Sequence, residues 1–320
     1  MHAIGFDAYG GPDVLRPVVL PDPHPGPGEV RVRVAAAGVA PVDAMERTGR
    51  LAALNEGLTP PFVPGMEVAG VIDEVGPGGE AALPIGTPVV AFVDFRGSWG
   101  GYSDLVVPPV ASVTPAPARA SMPEAASFLM NSLTAQNGLD ALGLAPGDTL
   151  LVPGAAGAVG GYVTQLASRA GLRVVALAGE ADEELVRSFG AELFVPRGPD
   201  AVERVRALVP GGVDAAADPA GIGPAILGAI RDGGQLAVFR PQPPECERGI
   251  TGHGLNVRRR ATDHAAIARL GALAADGVLA MRVAHVLPAA EAPEAHRLLD
   301  AGGLRGRSIL EFPVRPARHH

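Results

Sequence analysis

The sequence predicts an α/β protein with two domains, one a doubly wound parallel sheet and the other a β-rich, partly open barrel. Three observations lead to this prediction. The first part of the chain contains short apolar runs between glycines and prolines, and the middle alternates apolar runs with segments of helical length. The end of the chain returns to short strands, and 320 residues are enough for two domains of ordinary size.

Residues 1–118 supply the β-rich domain. Apolar and charged residues alternate over Glu29–Val34, which is typical of a strand with one buried face. Further short runs bounded by turn residues are EVAGVIDEVG (Glu67–Gly76), TPVVAFV (Thr87–Val93) and YSDLVVPP (Tyr102–Pro109). A partly open barrel is a compact way to bury one face of such strands.

From about Ser121 onward the pattern becomes helical and then alternates between strands and helices. The predicted helices cover Ala158–Ala170, Glu183–Phe189, Asp200–Leu208 and Gly223–Arg231, and the apolar runs before them are DTLLVPG, RVVALA, ELFVP and GVDAAADPA. Continuous apolar strands between helices indicate a parallel sheet that is covered on both faces. We assign residues 119–277 to this domain and residues 278–320 to the first domain, as a discontinuous segment.

Composition excludes several classes of function. The net charge is −8, and the densest basic cluster is Arg258–Arg260, which is too short to follow a phosphate backbone, so we expect no nucleic-acid partner. All 26 basic residues are arginine. Without lysine, the chain has no residue for a Schiff base, for attachment of pyridoxal phosphate or for the phosphate loop of nucleotide hydrolases.

Cysteine content and hydropathy indicate a cytoplasmic protein. Cys246 is the only cysteine, so the chain has neither an internal disulfide nor a multi-cysteine zinc site. The first residues, MHAIGFDAYGG, lack the basic and apolar pattern of a signal peptide. No apolar run reaches 18 residues, and we therefore expect no membrane span.

The segment GAAGAVG, between a predicted strand and a predicted helix, is the strongest motif of the chain. It places Gly154, Gly157 and Gly160 three residues apart, with Ala158 and Val159 opening the helix. Glycines in this position allow a tight turn, close approach of the backbone to a pyrophosphate and close packing of helix and strand. Free N–H groups at the start of the helix then face the phosphates. The motif and its place among strand–helix units predict a dinucleotide-binding turn.

Five segments together resemble the medium-chain dehydrogenase/reductase superfamily, and within it the zinc-independent quinone oxidoreductases. They are GVAPVD (Gly38–Asp43), PFVPGMEVAGVIDEVGPG (Pro61–Gly78), GGYSDLVVPP (Gly100–Pro109), the run from Ser132 to Gly160, and GGLRGRSILEF (Gly302–Phe312). The resemblance implies a GroES-like substrate domain, a Rossmann domain, a cleft between them for a nicotinamide cofactor, and a homodimer.

Two positions argue against catalytic zinc. The zinc alcohol dehydrogenases of this superfamily carry cysteine where this chain has Ala40 and histidine where it has Met66. A tetrahedral catalytic site needs three ligands of the cysteine, histidine or carboxylate type, and Glu67 alone does not supply them. We therefore expect no metal, and we regard zinc-dependent alcohol dehydrogenation as the weakest alternative.

The reaction open to such a protein is hydride transfer to a carbon that is already electrophilic, in a quinone or in an α,β-unsaturated carbonyl. Negative charge developing on the substrate oxygen needs a hydrogen-bond donor. The family often uses an asparagine at the position of Ala40 and a tyrosine shortly after it, but residues 47–58 contain no tyrosine. The remaining catalytic candidates are Asp43, which alternatively anchors a local turn, and Tyr102, which alternatively packs in the barrel.

The resemblance also implies further residues around the cofactor. Asn131 and Thr134 match positions near the nicotinamide and ribose, although a cap at a helix start would also explain them. Asp218 and Ala220 follow the fourth strand of the parallel sheet, and Phe239 and Arg240 follow the fifth, where ligands of open sheets bind. Phe239 alternatively belongs to the core. Arg305 and Arg307 lie where the family closes its cleft, and we expect Arg307 to be solvated.

The loop after the second strand of this domain bears on the choice between NADPH and NADH. Gly179 and Glu180 begin the segment GEADEE, and Glu180 lies at the spacing of a carboxylate that binds a ribose diol, which favours NADH. Arg197 stands where the family often has a tyrosine beside the adenosine ribose, and an arginine there suits a 2′-phosphate. With the family pattern added, we predict NADPH, with NADH as the alternative.

A second hypothesis from a different class remains open. Because the family's asparagine and tyrosine are both missing, the chain could instead be a non-catalytic nucleotide-binding or scaffold protein of the same fold. Binding of cofactor without its consumption across quinones and enones would distinguish this hypothesis from catalysis. The sequence alone does not separate quinone from enone substrates.

Overall fold

The computed structural model describes residues 1–77, 83–95 and 99–313. Its strands are β1 (His2–Gly5), β2 (Arg16–Val19), β3 (Val30–Gly38), β4 (Glu67–Val75), β5 (Pro88–Phe92), β6 (Leu105–Val106), β7 (Val113–Pro115), β8 (Thr149–Pro153), β9 (Arg173–Ala178), β10 (Leu193–Pro196), β11 (Val213–Asp218), β12 (Ile230–Val238), β13 (Thr251–Gly254), β14 (Val283–Pro288) and β15 (Arg307–Glu311). Its α-helices are α1 (Pro41–Arg47), α2 (Met122–Ala125), α3 (Leu129–Leu142), α4 (Ala158–Arg169), α5 (Glu183–Ser188), α6 (Ala201–Leu208), α7 (His264–Ala275) and α8 (Ala292–Ala301).

The chain forms two compact units. One, the β-rich unit, consists of the described residues within 1–130 together with residues 261–313. The other, the parallel-sheet unit, is the continuous segment Asn131–Arg260. Within the described residues, no helix combines the length and the apolar character that crossing a bilayer requires.

The β-rich unit is built on a sheet in the order β14-β15-β3-β4-β5-β7, with β6 paired to β3. Its pairs are antiparallel apart from β14 with β15. In β3, Val30, Val32 and Val34 are buried while the arginines between them are partly exposed. This period of two matches the alternation in the sequence and directs one face of the strand into the core of the unit.

The parallel-sheet unit contains six strands in the order β10-β9-β8-β11-β12-β13, all parallel. The central strand β8 is buried along its whole length, as expected for a strand between layers of helices. Strands β9 and β10 lie on one side of β8, and β11, β12 and β13 lie on the other. The strand order therefore reverses beside β8, and open α/β sheets bind their ligands at the carboxyl ends of such strands.

The observed units divide the chain at residues 130 and 260, whereas the sequence placed the division at 118 and 277. Helix α7 explains the second difference, because it packs against β7 of the β-rich unit. Gly271 of α7 lies so close to Thr114 that an added Cβ would come within 2.6 Å of the threonine Oγ1. A helical period in the sequence identifies a helix, but it does not identify the sheet on which the helix packs.

Two elements of the parallel-sheet unit differ from the sequence prediction. The predicted helix Gly223–Arg231 is a 3₁₀ helix over Gly223–Ala229, and β12 begins at the next residue. The sixth strand, β13, has the sequence TGHG and carries no apolar pattern. It forms because its backbone pairs with β12 at the edge of the sheet, where side-chain burial is not required.

Candidate functional site

The glycine turn between β8 and α4 has the geometry of a dinucleotide cradle. Gly154 has a φ of +69°, which favours glycine, and its carbonyl oxygen accepts a hydrogen bond from the Gly157 N–H at 2.9 Å. A Cβ on Gly160 would overlap the backbone of Gly154, so only glycine lets α4 start this close to the strand. The three glycines thus have the separate roles that close approach to a pyrophosphate requires.

The first residues of α4 are accessible at this turn. Gly154, Gly157, Ala158 and Val159 are partly exposed, whereas Gly160 is buried. Gly157 is the N-cap of the helix, and being glycine it has no side chain to occupy the N–H groups that follow. The described residues therefore fit a bound pyrophosphate, which these amides and the positive end of the helix dipole would hold.

Beside Gly179, an acid that follows β9 lies close to an arginine that follows β10. A Cβ on Gly179 would lie 2.9 Å from Oδ2 of Asp182 and 4.0 Å from Nε of Arg197. Glu180, selected from its spacing in the sequence, is exposed, and Asp182 is 8% exposed. Sequence reasoning missed Asp182, because three acids follow Glu180 within four residues and spacing alone does not tell which of them folds back toward Gly179.

The ends of β11 and β12 lie on the two strands that follow β8 in the sheet. Asp218 is 1% exposed and accepts hydrogen bonds from the backbone N–H groups of Ile222 at 3.2 Å and Gly223 at 2.7 Å, so it closes the turn after β11. Ala220 lies beside Gly154, because a Cβ added to Gly154 would be 3.2 Å from the Cβ of Ala220. Both residues therefore border the glycine turn or the strand next to it.

The remaining predicted cofactor residues are placed as follows. Phe239 packs on α3 opposite Gly138, and Arg240 is exposed. Asn131 and Thr134 lie inside α3, past its first residue, Leu129, so neither is the N-cap of the helix. Asn131 is 1% exposed, and Thr134 is partly exposed.

The two catalytic candidates, Asp43 and Tyr102, are both fully buried in the β-rich unit and contact each other. The Tyr102 hydroxyl donates to Oδ2 of Asp43 at 3.2 Å. Asp43 also accepts the backbone N–H of Ala40 at 2.7 Å and of Gly65 at 3.1 Å. Burial raises the pKa of Asp43 to about 6, although these hydrogen bonds and the charge of Arg307 oppose the rise. Burial and the neighbouring Asp43 raise the pKa of Tyr102 well above its usual value.

This cluster contains two further side chains that the sequence did not reveal. His296 Nε2 lies 3.0 Å from the Tyr102 hydroxyl, and Arg47 Nε donates to His296 Nδ1 at 3.1 Å. Arg47 also pairs with Asp300 at 2.9 Å. Burial and the charge of Arg47 lower the pKa of His296 to about 3. Arg47 and His296 are 249 positions apart in the sequence, and no local pattern connects them.

A second buried ion pair corrects one expectation. Arg307 is 4% exposed and donates to Oε2 of the fully buried Glu67 at 3.1 Å, so the prediction that Arg307 is solvated is wrong. Glu67 also accepts the backbone N–H of Met130 at 3.2 Å. Burial raises the pKa of Glu67 to about 7 against the opposing charge of Arg307.

The residues present do not fit a catalytic zinc ion. Ala40 and Met66, which replace a cysteine and a histidine of zinc enzymes, are each 1% exposed and offer no nitrogen, thiolate or carboxylate ligand. Glu67 is paired with Arg307. Throughout the described ranges, no three histidine, cysteine, aspartate or glutamate side chains cluster in a way that could hold a metal.

Together, the six-stranded parallel sheet, the glycine cradle at its point of reversal and the separate β-rich unit define the class of dinucleotide-binding α/β proteins. Residues 26–118 match the alcohol dehydrogenase GroES-like domain family, and residues 189–310 match the zinc-binding dehydrogenase family. Among solved structures, an NAD-dependent alcohol dehydrogenase shares 30% sequence identity, with a TM-score of 0.84 over 98% of this chain and 100% of the other. A mycobacterial protein complexed with NADPH shares 30% identity, with a TM-score of 0.82 over 97% of this chain and 100% of the other.

Curated relatives agree with this placement. A 2-methylene-furan-3-one reductase of Solanum lycopersicum is 30% identical over 79% of this chain and 66% of its own length. A probable quinone oxidoreductase of Schizosaccharomyces pombe is 29% identical over 86% of each chain. The chain thus spans just under two thirds of the tomato protein. It belongs to the medium-chain dehydrogenase/reductase superfamily of oxidoreductases, in its quinone oxidoreductase-like branch, and the predicted family and fold class are confirmed.

Proposed function

We propose that this protein catalyses metal-independent transfer of a hydride from NAD(P)H to a quinone or to the β-carbon of an α,β-unsaturated carbonyl. The observation that carries the proposal is the glycine cradle, where Gly154 and Gly160 leave room for a pyrophosphate against the start of α4. The nicotinamide supplies the hydride, and the chain supplies binding, orientation and exclusion of water. The relatives named as quinone and furanone reductases support these two substrate classes.

The absence of zinc ligands at residues 40 and 66 determines which substrates are suitable. Zinc acts in such enzymes as a Lewis acid that polarises a carbonyl or an alcohol. Ala40 and Met66 offer no ligand for it, so the substrate carbon has to be electrophilic already. Quinones and conjugated enones meet this requirement, whereas simple alcohols and ketones do not.

For the cofactor, we propose NADPH. Arg197 follows β10, and its Nε would lie 4.0 Å from a Cβ on Gly179, the residue after β9; an arginine there suits the 2′-phosphate. The mycobacterial structure complexed with NADPH supports the same choice. The acids Glu180 and Asp182 oppose it, since a carboxylate about 4 Å from a phosphate costs on the order of 1 to 4 kcal/mol at protein surfaces. Steady-state rates with each cofactor test the proposal, and equal or better rates with NADH would refute it.

Arg197→Gln sharpens this test. Loss of the charged partner should raise KM for NADPH roughly tenfold and leave KM for NADH unchanged, because only NADPH carries the phosphate. Arg204→Gln is the matched control: Arg204 of α6 is also exposed, but it pairs with Asp200, the residue before that helix. An equal effect of Arg197→Gln on both cofactors would assign Arg197 to a different role.

Substrate class is tested by a panel of quinones and enones under single-turnover conditions, with stereospecifically deuterated cofactor to follow the transferred hydride. The expected result is deuterium on the substrate carbon. Cofactor that binds but is not consumed by any member of the panel would favour the alternative, a non-catalytic nucleotide-binding protein. The buried positions of Asp43 and Tyr102 are the observation behind that alternative.

Cytoplasmic location and a homodimer stay predictions. Light scattering during size-exclusion chromatography would test the homodimer.

A further inference from the structure

The buried cluster around His296 forms a hydrogen-bonded chain of four side chains. Arg47 Nε is 3.1 Å from His296 Nδ1, His296 Nε2 is 3.0 Å from the Tyr102 hydroxyl, and that hydroxyl is 3.2 Å from Oδ2 of Asp43. None of the four side chains is more than 2% exposed. These hydrogen bonds connect α8 and α1 with the segment that precedes β6. Buried polar groups of this kind strongly constrain one another's geometry.

The direction of every hydrogen bond follows from the chemistry at the two ends. A guanidinium has only donors, so His296 Nδ1 has to be the acceptor and carries no proton. In a neutral imidazole the proton then resides on Nε2, which donates to the oxygen of Tyr102. The Tyr102 hydroxyl accordingly uses its own hydrogen toward Asp43, an acceptor when ionised. Arg47 and Asp43 therefore leave His296 with one tautomer.

Asp43, the last side chain of this hydrogen-bonded series, binds two backbone segments. Asp43 accepts the N–H of Ala40 through Oδ2 and the N–H of Gly65 through Oδ1. Gly65 has a φ of +106° and packs so closely on Tyr102 that an added Cβ would lie 2.6 Å from the ring. In the zinc alcohol dehydrogenases of the superfamily a cysteine stands at the position of Ala40 and a histidine at that of Met66, the neighbour of Gly65. Asp43 thus links the backbone at both positions.

We infer that His296 is a positioning residue that acts as a neutral Nε2–H donor, directing the Tyr102 hydroxyl onto Asp43 and thereby fixing the backbone at Ala40 and Gly65. This inference rests on the proposed function, because its consequence for turnover depends on the reaction. It also changes the role of the two catalytic candidates. The hydrogen of Tyr102 is already donated to Asp43, and both groups are fully buried, so they arrange the backbone and do not touch the substrate.

The environment of His296 keeps this tautomer in place over the pH range in which enzymes are assayed. Protonation would place an N–H of the imidazolium against the N–H of Arg47. Burial and that guanidinium lower the pKa of the imidazole to about 3, in accordance with the geometry. Asp300, 47% exposed, neutralises Arg47 from the other side, and Arg47 also donates to the carbonyl oxygen of Gly10.

The first test uses the unmodified protein and does not depend on turnover. Nitrogen-15 NMR of the imidazole side chains should show one histidine with a protonated Nε2 and an unprotonated Nδ1, and this Nδ1 should gain no proton between pH 5 and 9. The assignment comes from loss of that signal in a His296 variant. A protonated Nδ1 anywhere within that range would overturn the inference.

The second test compares two substitutions that each keep one half of the imidazole. In His296→Gln the side-chain amide can still donate from the position of Nε2, whereas in His296→Asn the shorter chain can reach only the position of Nδ1. Loss of a single hydrogen bond corresponds to a change of roughly tenfold. We expect kcat to fall about tenfold in His296→Asn with unchanged cofactor affinity, and His296→Gln to recover most of it. His285→Asn, at an exposed histidine of β14, is the matched control.

Hydrogen exchange separates this inference from the proposed function. The amides of Ala40 and Gly65 should exchange roughly tenfold faster in His296→Asn than in His296→Gln, whether or not any substrate is turned over. If the wild-type protein has no reductase activity, the proposed function is refuted. The exchange rates of these two amides would still test the positioning role of His296. Equal exchange in the two variants, or equal kcat, would overturn it. If His296→Asn does not fold, His296→Gln against the wild type and the NMR tautomer give the answer.

Discussion

At the scale of single residues, the buried ion pair of Glu67 and Arg307 is a site where one substitution should strongly change the free energy of unfolding. Neither side chain is more than 4% exposed, and each compensates the charge of the other at 3.1 Å. Removing one partner from such a pair leaves an uncompensated charge in the interior, while replacing both is far better tolerated. Gly38 packs against both, so the sheet leaves little room to rearrange around a lone charge.

Arg307→Met should therefore lower the free energy of unfolding by about 3 to 5 kcal/mol. The double variant Glu67→Gln/Arg307→Met should recover most of this loss, because no charge remains buried. Urea unfolding followed by circular dichroism measures both changes. Arg305→Met, at an exposed arginine two residues earlier, is the control and should change little. Equal losses in the single and double variants would mean that packing of the arginine stem, and not its charge, stabilises the unit.

The same pair makes stability depend on pH. The pKa of Glu67 is about 7 in the folded chain and 4.5 in its ordinary state, so the folded chain binds a proton more tightly. Its contribution to stability is fully present below pH 4.5 and is lost as the pH rises through about 7. Between pH 5 and 8 the free energy of unfolding should fall by on the order of 1 to 3 kcal/mol more in the wild type than in Glu67→Gln. Parallel curves for the two proteins would contradict this.

Residues of this kind could not be predicted from the sequence. Glu67 and Arg307 are 240 positions apart, and the sequence around either residue does not predict its contact with the other. The glycines of the cradle were predictable because their roles are set by seven consecutive residues. Asp43 and Tyr102 were selected for their chemistry, but their mutual contact depends on the return of the backbone at Gly65.

At the scale of elements, the turn between β8 and α4 depends on the contact between Gly160 and Gly154. A methyl group at residue 160 has nowhere to go, because the nearest atoms are backbone and not a flexible side chain. The start of α4 would have to move away from β8, and its N–H groups would move with it.

Gly160→Ala should accordingly weaken binding of NADPH at least about tenfold, measured by titration of nicotinamide fluorescence. Gly211→Ala is the matched control in the same unit, since a Cβ there meets nothing within 4 Å and the backbone needs no left-handed conformation. Its affinity should equal that of the wild type. Retention of full affinity in Gly160→Ala would show that the phosphates do not rest on this turn.

Prediction of elements succeeded where burial set the pattern. Helices α4, α5 and α6 begin within a residue of their predicted starts, because apolar strands and helical periods alternate around them. The errors lie where backbone pairing or helix packing decided the outcome. The edge strand β13 has no apolar pattern to detect, and α7 reads as one more helix of the parallel-sheet unit until its contact with β7 is known.

At the scale of the whole molecule, the two ends of the chain build one unit and the middle builds the other. The sheet of the β-rich unit shows this directly, because β15 from the end of the chain pairs with β3 from its beginning. The sequence indicated this discontinuity through its return to short strands. It did not indicate that α7 joins the β-rich unit, which moves the boundary from residue 277 to residue 260.

At this scale, the zinc content of the protein and the effect of metal removal on activity test whether the reaction is independent of metal. Ala40 and Met66 lack ligand atoms and Glu67 is committed to Arg307, so purified protein should contain well below one zinc ion per chain by mass spectrometry of the metal. Dialysis against EDTA should leave NADPH-dependent reduction of quinones or enones unchanged. Cys246→Ser controls for adventitious zinc on the single thiol. Stoichiometric zinc in both proteins, with activity that EDTA removes and added zinc restores, would require ligands other than those considered and would overturn the metal-independent reaction.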